Sequence, residues 1–314
     1  MCGLAGVILK QKDRAEHQTA LITKGFRDML IEAEKRGNHA TGFAIIDSSS
    51  EFLIHKAPNP ATDFVNSEDT VSALDLVDGT TSIIMGHTRF GTLGSRHNNA
   101  NNHPIRTRSV IGTHNGSVQN HKSLFKQFKM KRFAQVDSEV LFRLFATAKD
   151  IKDFVVNRLP KVRGRVSMVW ADTKNPNIVY LYKGNNPLEC YYSREYDAFI
   201  YGSTVNTVRK SGISGLKEVP IKANTLVRID TRTLKYKVSS VKILQPKYSN
   251  RIYNHKIGAY QRKVRNPRFT PTKRFTFDRN YEETVDNFVP RFSYRDQLEM
   301  FKASDGSTIK KIKG

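Results

Sequence analysis

Apolar positions near the start of the chain follow two different periods. Residues 3–9 form a short apolar run that is typical of a buried strand. Residues 16–35 instead carry apolar side chains at helical spacing, which predicts an amphipathic helix with Gly37 beyond its end as a C-terminal cap. The residues that set this spacing are Leu21, Ile22, Phe26, Met29, Leu30 and Ala33.

The next segments predict strands and one long loop. Runs at 41–47 and 51–56, joined by a Ser-rich turn, predict a hairpin. Strand-like runs follow at 82–87 and 108–113, separated by a polar stretch that is rich in Gly and Asn. A loop of this size inside a compact domain is more often functional than idle.

The second half of the chain combines helices with a long series of strands. Helical patterns lie at 121–129 and 138–147, and Asp137 stands where the second of these would take an N-cap. From residue 163 to residue 242 the pattern is almost entirely strand. This arrangement predicts an α+β fold with mostly antiparallel sheet. The predicted strands are 165–172, 177–182, 189–193, 197–202, 225–231 and 235–242.

The pattern changes near residue 245, which divides the chain into two predicted parts, 1–245 and 246–314. The second part contains prolines, scattered aromatic residues and 16 Lys+Arg against 7 Asp+Glu, with little periodicity. We interpret it as a basic, irregular C-terminal extension with one helix around 293–302. The alternative is an irregular arm that packs along the body.

The composition excludes some classes of protein but does not identify the function. The 314 residues carry a formal net charge of +23, which implies attraction to polyanions such as nucleic acid, acidic proteins or anionic lipid. Two cysteines, Cys2 and Cys190, cannot form a disulfide framework, and no cluster has metal-ligand spacing. We find neither a signal peptide nor an apolar run long enough to span a bilayer, and we expect a cytoplasmic protein without membrane contact.

Position 2 offers the clearest chemistry. Removal of Met1 would leave Cys2 with a free α-amino group, and such an amine titrates near ~7.7–8. The amine can take the thiol proton, so that one residue supplies both nucleophile and base. On position alone, the commoner interpretation is a small buried side chain near a terminus.

Six motifs in a fixed order favour the catalytic interpretation of Cys2. They are Cys2-Gly3-Leu4-Ala5-Gly6, residues 36–42 (RGNHATG), residues 86–94 (GHTRFGTLG), Asn102-His103-Pro104, residues 113–120 (THNGSVQN) and Asp137-Ser138-Glu139. Together they resemble the class II glutamine amidotransferase domain, the N-terminal-nucleophile glutaminase of glucosamine-6-phosphate synthase, the purine-pathway amidotransferase and asparagine synthetase. The resemblance covers about residues 2–245. It implies the N-terminal-nucleophile hydrolase fold, a four-layer sandwich with helices on both sides of two stacked sheets.

The resemblance also implies the catalytic groups. Cys2 matches the nucleophile, while Asn115 and Gly116 match an oxyanion hole that donates a side-chain and a backbone N–H. Taken alone, Asn115-Gly116 would more often be a type I′ hairpin turn. No cofactor or metal is expected.

The same resemblance implies the groups that bind glutamine. Arg89 matches the residue that grips the substrate α-carboxylate, and Asp137 the one that pairs with its α-ammonium. Thr92 and His103 fall at positions that line the pocket, and Arg36 lies in a motif near the active site. For Arg36 and His103 a purely structural role is at least as frequent as substrate contact.

The chain departs from its family in ways that limit the prediction. Phe90 stands where glucosamine-6-phosphate synthase has Trp, Leu93 where it has His, and Asn38-His39 replaces Tyr-Asp or Pro-Asp. The 69 residues after 245 are too few for a domain that consumes ammonia. We therefore expect a glutaminase that passes ammonia to a separate synthase subunit. The alternative is a catalytically retired fold that serves as a basic nucleic-acid-binding or structural-complex component, with polyanion contact through the extension.

Overall fold

The structure is a computed structural model, and it describes residues 1–246. The strands of this part of the chain run in the following order: β1 (Gly3–Leu9), β2 (Ala40–Asp47), β3 (Phe52–Ala57), β4 (Thr81–Arg89), β5 (Ile105–Thr107), β6 (Val110–Val118), β7 (Gly164–Asp172), β8 (Ile178–Lys183), β9 (Glu189–Ser193), β10 (Ala198–Gly202), β11 (Leu216–Glu218), β12 (Thr225–Asp230) and β13 (Tyr236–Ser240).

Seven helices accompany these strands within residues 1–246. They are α1 (Glu16–Glu34), α2 (Ala61–Phe64), α3 (Glu68–Leu74), α4 (His121–Gln127), α5 (Glu139–Ala146), α6 (Ile151–Asp153) and α7 (Val205–Arg209). A π-helical turn at Phe154–Arg158 and 3₁₀ turns at Asn99–Asn101 and Leu159–Lys161 complete the list.

The strands form two antiparallel sheets. The first has the order β11-β9-β10-β1-β4-β2-β3, and the second has the order β13-β12-β8-β7-β6-β5. All strand pairs described in both sheets are antiparallel. β1 and β4 lie at the centre of the first sheet, and β6 and β7 lie side by side in the second.

Alternation of side chains along each strand separates three hydrophobic layers. Leu4 and Ile8 of β1 pack between the sheets against side chains such as Ile111 and Val169. The opposite face of the first sheet packs on α1, α2 and α3. The outer face of the second sheet packs on α4 and α5, around Trp170. Because side chains alternate with period two, the inward set of each strand is fixed by its register.

The predicted α+β class with antiparallel sheets is confirmed, and every strand predicted between 3 and 242 is present. The structure adds elements that the pattern did not indicate. These are β5, β11, the helices α2, α3, α6 and α7, and the turns between 99–101 and between 154–161. The extension, its helix around 293–302 and its polyanion contact lie outside the described residues.

The structure corrects two local predictions, at Asp137 and Gly37, and excludes one alternative interpretation, at Asn115-Gly116. Asn115 and Gly116 lie inside β6, paired with β7, so they do not form a hairpin turn. Asp137 is not an N-cap, because that position is taken by Ser138 and the Asp137 carboxylate accepts a hydrogen bond from Val118 N instead. Gly37 lies beyond α1 but is not among the residues with positive φ, so it is not a left-handed cap. A Cβ at Gly37 would lie 2.5 Å from the Arg89 carbonyl carbon, and close approach of β4 explains the glycine.

Candidate active site

The start of β1 and the end of β4 meet at one end of the stacked sheets. Their register pairs Gly3 with Thr88, and this brings the preceding Cys2 beside the residues that follow β4. Phe90 N donates a hydrogen bond to Cys2 Sγ at 3.3 Å, and Phe90 O lies 3.7 Å from the same sulfur. The thiol is therefore held by the backbone of the polar loop that the sequence singled out.

Opposing effects act on the pKa of the Cys2 thiol. Burial raises its pKa above the ordinary value, and the Asp137 carboxylate raises it further. The Phe90 hydrogen bond and the Arg89 guanidinium act in the opposite direction. Cys2, Arg89 and Asp137 therefore lie within electrostatic reach of one another, although they are far apart in sequence.

Arg36 holds the N-terminal segment in place. Its Nε donates to the Cys2 carbonyl at 2.9 Å, and its Nη2 lies 3.9 Å from Met1 Sδ. Met1 itself is 61% exposed. Arg36 thus contacts the backbone of the proposed nucleophile, which fits a positioning role.

The Arg89 guanidinium is fixed by three hydrogen bonds. It is 3% exposed and donates to Asn102 Oδ1 at 2.8 Å, to Leu93 O at 2.6 Å and to Gly94 O at 2.7 Å. A guanidinium has five N–H donors, so donors remain for an anionic partner. Arg89 is therefore a rigid cation at the edge of the site.

Asn115 projects between the sheets because it shares the inward face of β6 with Ile111. Its Nδ2 donates to Ser203 Oγ at 3.4 Å, and Ser203 Oγ also accepts from Leu4 N at 2.8 Å. Asn186 Nδ2 donates to the Asn115 carbonyl at 2.8 Å. The contacts tie the amide to the start of β1, while Asn115 Oδ1 has no hydrogen-bond partner within residues 1–246.

Gly116 occupies a position that excludes a side chain. Its φ is +146°, and a Cβ there would lie 1.9 Å from Arg165 O on β7. The close approach of β7 therefore requires glycine at this position.

The Asp137 carboxylate faces the end of β6. Its Oδ2 accepts from Val118 N at 2.5 Å, and the residue is buried. The next residue, Ser138, lies 2.8 Å from His114 Nδ1. Asp137 therefore joins the second sheet to the site, with its charge close enough to affect the Cys2 thiol.

His103 lies in a buried cluster of imidazoles. Its ring stacks on His87 with centroids 4.2 Å apart, and neither ring nitrogen has a partner among the described residues. Burial lowers the pKa of His103 well below its ordinary value and that of His87 to about 3. Both rings are therefore neutral at physiological pH, and His103 can contribute only neutral polar contacts.

Thr92 lies on the exposed loop that follows β4. Phe90 in the same loop stacks on His39 with centroids 5.2 Å apart, and Gly91 N donates to His39 Nδ1 at 2.9 Å. The His39 substitution noted in the sequence thus holds the loop through a ring contact and a hydrogen bond. Thr92 is near the site in the chain, but its side chain is not buried in it.

Two residues of this site were missed by sequence reasoning. Ser203 directly follows β10, and Asn186 lies between β8 and β9, so neither falls in a quoted motif. The available signal was a pair of polar residues, Asn185-Asn186, before Pro187, and a Ser at a strand end. Only the three-dimensional packing links them to Asn115, Ser203 from the end of β10 and Asn186 from the β8–β9 connection.

Neither a metal centre nor a membrane span is found in the described part of the chain. Within residues 1–246, no group of three or more His, Cys, Asp or Glu side chains could hold a metal ion. No helix in that range is long and apolar enough to cross a bilayer.

Comparison with known families connects this geometry to a domain type. Residues 87–210 match the family model described as a glutamine amidotransferase domain. The chain is 27% identical over 195 residues to the glutamine–fructose-6-phosphate aminotransferase (isomerizing) of Salmonella typhi, and 26% identical over the same length to that of Escherichia coli K12. Each match covers 60% of this chain and 29% of the relative, so the chain matches less than a third of those proteins.

Solved structures share the fold. The glutamine phosphoribosylpyrophosphate amidotransferase of B. subtilis, complexed with ADP and GMP, superposes with a TM-score of 0.57 at 20% identity. A structure described as the allosteric regulatory enzyme of purine biosynthesis gives a TM-score of 0.58 at 18% identity. Both matches cover 76% of this chain and 49% of the other. The resemblance predicted from the six motifs is confirmed.

Proposed function

We propose, from the premise that the chain contains a glutamine amidotransferase domain, that it hydrolyses glutamine to glutamate and ammonia through a thioester on Cys2. The observation that carries the proposal is the position of the Cys2 thiol. It lies on the backbone of Phe90 and within the electrostatic reach of Arg89 and Asp137. The fold we propose is the N-terminal-nucleophile sandwich, in which the nucleophile stands at the start of a central strand, as Cys2 does before β1.

The first half-reaction uses one residue as nucleophile and base. After loss of Met1, the neutral α-amine of Cys2 takes the thiol proton, and the thiolate attacks the γ-carbonyl carbon of glutamine. Asn115 Nδ2 and Gly116 N–H donate to the resulting oxyanion. Collapse of the intermediate breaks the C–N bond, and the α-ammonium returns its proton to the leaving nitrogen, so that ammonia departs.

The second half-reaction reverses the proton transfers. Water attacks the γ-glutamyl thioester while the Cys2 α-amine accepts its proton. Collapse of the second tetrahedral intermediate breaks the C–S bond, and the thiolate regains a proton as glutamate leaves. The same oxyanion donors serve both steps.

Substrate orientation is proposed for the remaining site residues. The fixed Arg89 cation would bind the α-carboxylate, and the Asp137 carboxylate would bind the α-ammonium. Thr92 would hydrogen-bond substrate from the loop, and His103 would line the pocket as a neutral ring. Arg36 would position Cys2 through its carbonyl.

We further propose that ammonia passes to a separate synthase subunit in the cytoplasm. The name of the curated relatives joins glutamine to fructose-6-phosphate, which motivates an acceptor for the nitrogen. The residues after 245 remain, as proposed from the sequence, a distinct basic extension. The two cysteines of the described region are free, which suits a reducing compartment.

Glutamate release by the purified protein tests the proposal. Cys2→Ala should abolish release, because the nucleophile is lost. The matched control is Cys190→Ala, which removes a buried thiol whose pKa burial raises to about 12 and should retain activity. Failure of the wild-type protein to release glutamate, alone or with candidate partner subunits, would refute the proposal.

A further inference from the structure

A cleft lies on the outer side of the second sheet. It has a volume of about 560 Å³ and is formed by the β5–β6 turn, the connection between α4 and α5, and the end of α5. This volume falls in the range of small-molecule sites. None of its lining residues belongs to the proposed glutamine site. They are Arg106, Thr107, Arg108, Phe128, Lys129, Met130, Lys131, Phe133, Arg143 and Thr147.

The lining is strongly basic and contains no acidic residue. Arg108, Lys129 and Lys131 are exposed, and no ion pair holds them within residues 1–246. Arg143 is different, because its Nε pairs with the buried Glu139 behind the wall. The three exposed cations therefore leave a concentrated positive charge for a ligand to neutralise.

Apolar and aromatic groups share the same walls. The Phe133 ring contacts two cations, with Arg143 Cζ 4.5 Å and Lys131 Nζ 5.1 Å from its centroid. Phe128 and Met130 also line the cleft, and Arg158 Cζ and Lys161 Nζ lie 5.2 Å and 5.7 Å from the centroid of the Phe128 ring. Cations alone would suit any polyanion, but rings inside the cleft add a surface on which a flat group can stack.

Hydrogen bonds hold the backbone around the cleft. Glu139 accepts hydrogen bonds from Phe133 N at 3.1 Å and Ala134 N at 2.7 Å, which fixes the connection before α5. Arg108 and Lys129 have φ of 55° and 50°, and side-chain residues seldom adopt this left-handed region. Arg108 lies in the two-residue turn between β5 and β6, and Lys129 directly follows the C-cap of α4, so both stand where this conformation is common and both fix the course of the chain around the cleft.

Thr107 supplies an independent sign of a ligand. The residue lines the cleft, is 1% exposed, and its Oγ1 has no hydrogen-bond partner within residues 1–246. A buried hydroxyl without a partner is unfavourable by about 1–3 kcal/mol. The hydroxyl has almost no accessible surface, so a ligand oxygen satisfies it after a small movement of the cleft wall.

We propose that this cleft binds a small phosphate ester that carries an aromatic group, of which a nucleoside monophosphate is a natural example. The exposed cations and the Thr107 hydroxyl hold the phosphate, and Phe128 and Phe133 contact the ring. A simple solvated basic face would need neither the aromatic walls nor the buried hydroxyl. The chain's own residues 246–314 are a poor occupant, because they carry 16 Lys+Arg against 7 Asp+Glu.

Calorimetric titration of the full chain with AMP at physiological salt tests the site. The cleft variant is Lys129→Gln/Lys131→Gln, and the matched control is Lys122→Gln/Lys126→Gln, which removes the same charge from exposed positions of α4 outside the cleft. We expect one AMP per chain and a dissociation constant at least tenfold weaker in the cleft variant only. Inorganic phosphate has only the anionic group and adenosine only the aromatic ring with its sugar, so each should bind more weakly than AMP.

Thr107→Val separates ligand contact from folding. It keeps the side-chain shape, so the free energy of unfolding should be unchanged or higher, while AMP affinity should fall. The proposal is overturned if AMP does not bind, or if its affinity is equal in the wild-type, cleft and control proteins. It is also overturned if a 12-nucleotide single strand binds in the cleft and AMP does not displace it, since the ligand would then be nucleic acid.

Discussion

The Asn115 side chain is buried between the sheets, with its amide nitrogen on Ser203 and its amide oxygen without a partner in the described region. Replacement by Ala removes one proposed oxyanion donor. The kcat for glutamine hydrolysis should fall about 10²–10³-fold, equivalent to ~2.7–4 kcal/mol, because the lost hydrogen bond matters most in the transition state. Steady-state kinetics measures this change.

Ser203→Ala is the matched variant for Asn115→Ala. It keeps the amide and removes its acceptor, which is also the acceptor of Leu4 N, so its effect on kcat should be smaller than that of Asn115→Ala. A folded Asn115→Ala protein whose kcat falls less than tenfold would argue against the oxyanion role.

His55 predicts a pH dependence of stability away from the site. Burial lowers its pKa to about 4, and its ring stacks on Phe64 with centroids 4.7 Å apart. Between about pH 6.5 and pH 4, His55 binds a proton in the unfolded chain but stays neutral in the folded chain. The free energy of unfolding therefore falls as the pH falls. His55→Phe keeps the stacking and should remove about 2 kcal/mol of the loss between pH 7.5 and pH 5.

Urea unfolding at the two pH values measures the effect. His17→Gln, at an exposed position of α1, is the control and should leave the pH dependence unchanged. An equal loss of stability in the wild-type and His55→Phe proteins would contradict the assignment.

At the residue scale, the sequence identified the functional residues that belong to a recognisable motif. Cys2, Arg89 and Asp137 were named from motifs, and the structure places them within electrostatic reach. Ser203 and Asn186 were not named, because their link to Asn115 exists only through packing of distant strands. A hydroxyl or amide that positions another residue carries no local signature.

At the scale of elements, the β6–β7 pair defines the geometry of the proposed oxyanion donors. Gly116→Ala places a methyl group 1.9 Å from Arg165 O, so β7 must shift or β6 must unpair. We expect a loss of several kcal/mol in the free energy of unfolding, at the upper end of single substitutions. Chemical denaturation measures it.

Gly212→Ala is the control for this prediction. Gly212 has φ of +63° but nothing within 4 Å of its Cβ position, so only backbone strain is added. That change should cost about 1 kcal/mol. Equal losses in the two variants would show that the close approach of β7 is unimportant.

Periodicity identified the long elements and failed on the short ones. β1, α1 and the β2–β3 hairpin follow clear patterns, and the structure agrees. β5 and β11 have three residues each, too few to show an alternation. Asp137 illustrates a second limit. An aspartate before a helix can be an N-cap or a buried acceptor, and the sequence does not distinguish the two. The hydrogen bond from Val118 N shows that Asp137 is a buried acceptor.

At the scale of the whole molecule, the net charge of +23 divides between different parts of the chain. Part lies in residues 246–314, and part lines the cleft around Phe133, remote in sequence from Cys2. The proposed glutamine site itself pairs a cation with a carboxylate, as a zwitterionic substrate requires. The basicity therefore concerns other ligands more than the proposed hydrolysis.

Intact-mass measurement after reaction with an electrophilic glutamine analogue tests the central claim, that Cys2 attacks glutamine. We expect a mature chain without Met1 that carries one adduct, located on Cys2 by peptide mapping and suppressed by excess glutamine. Label on another residue, label that glutamine does not suppress, or a fully active chain that retains Met1 would contradict it.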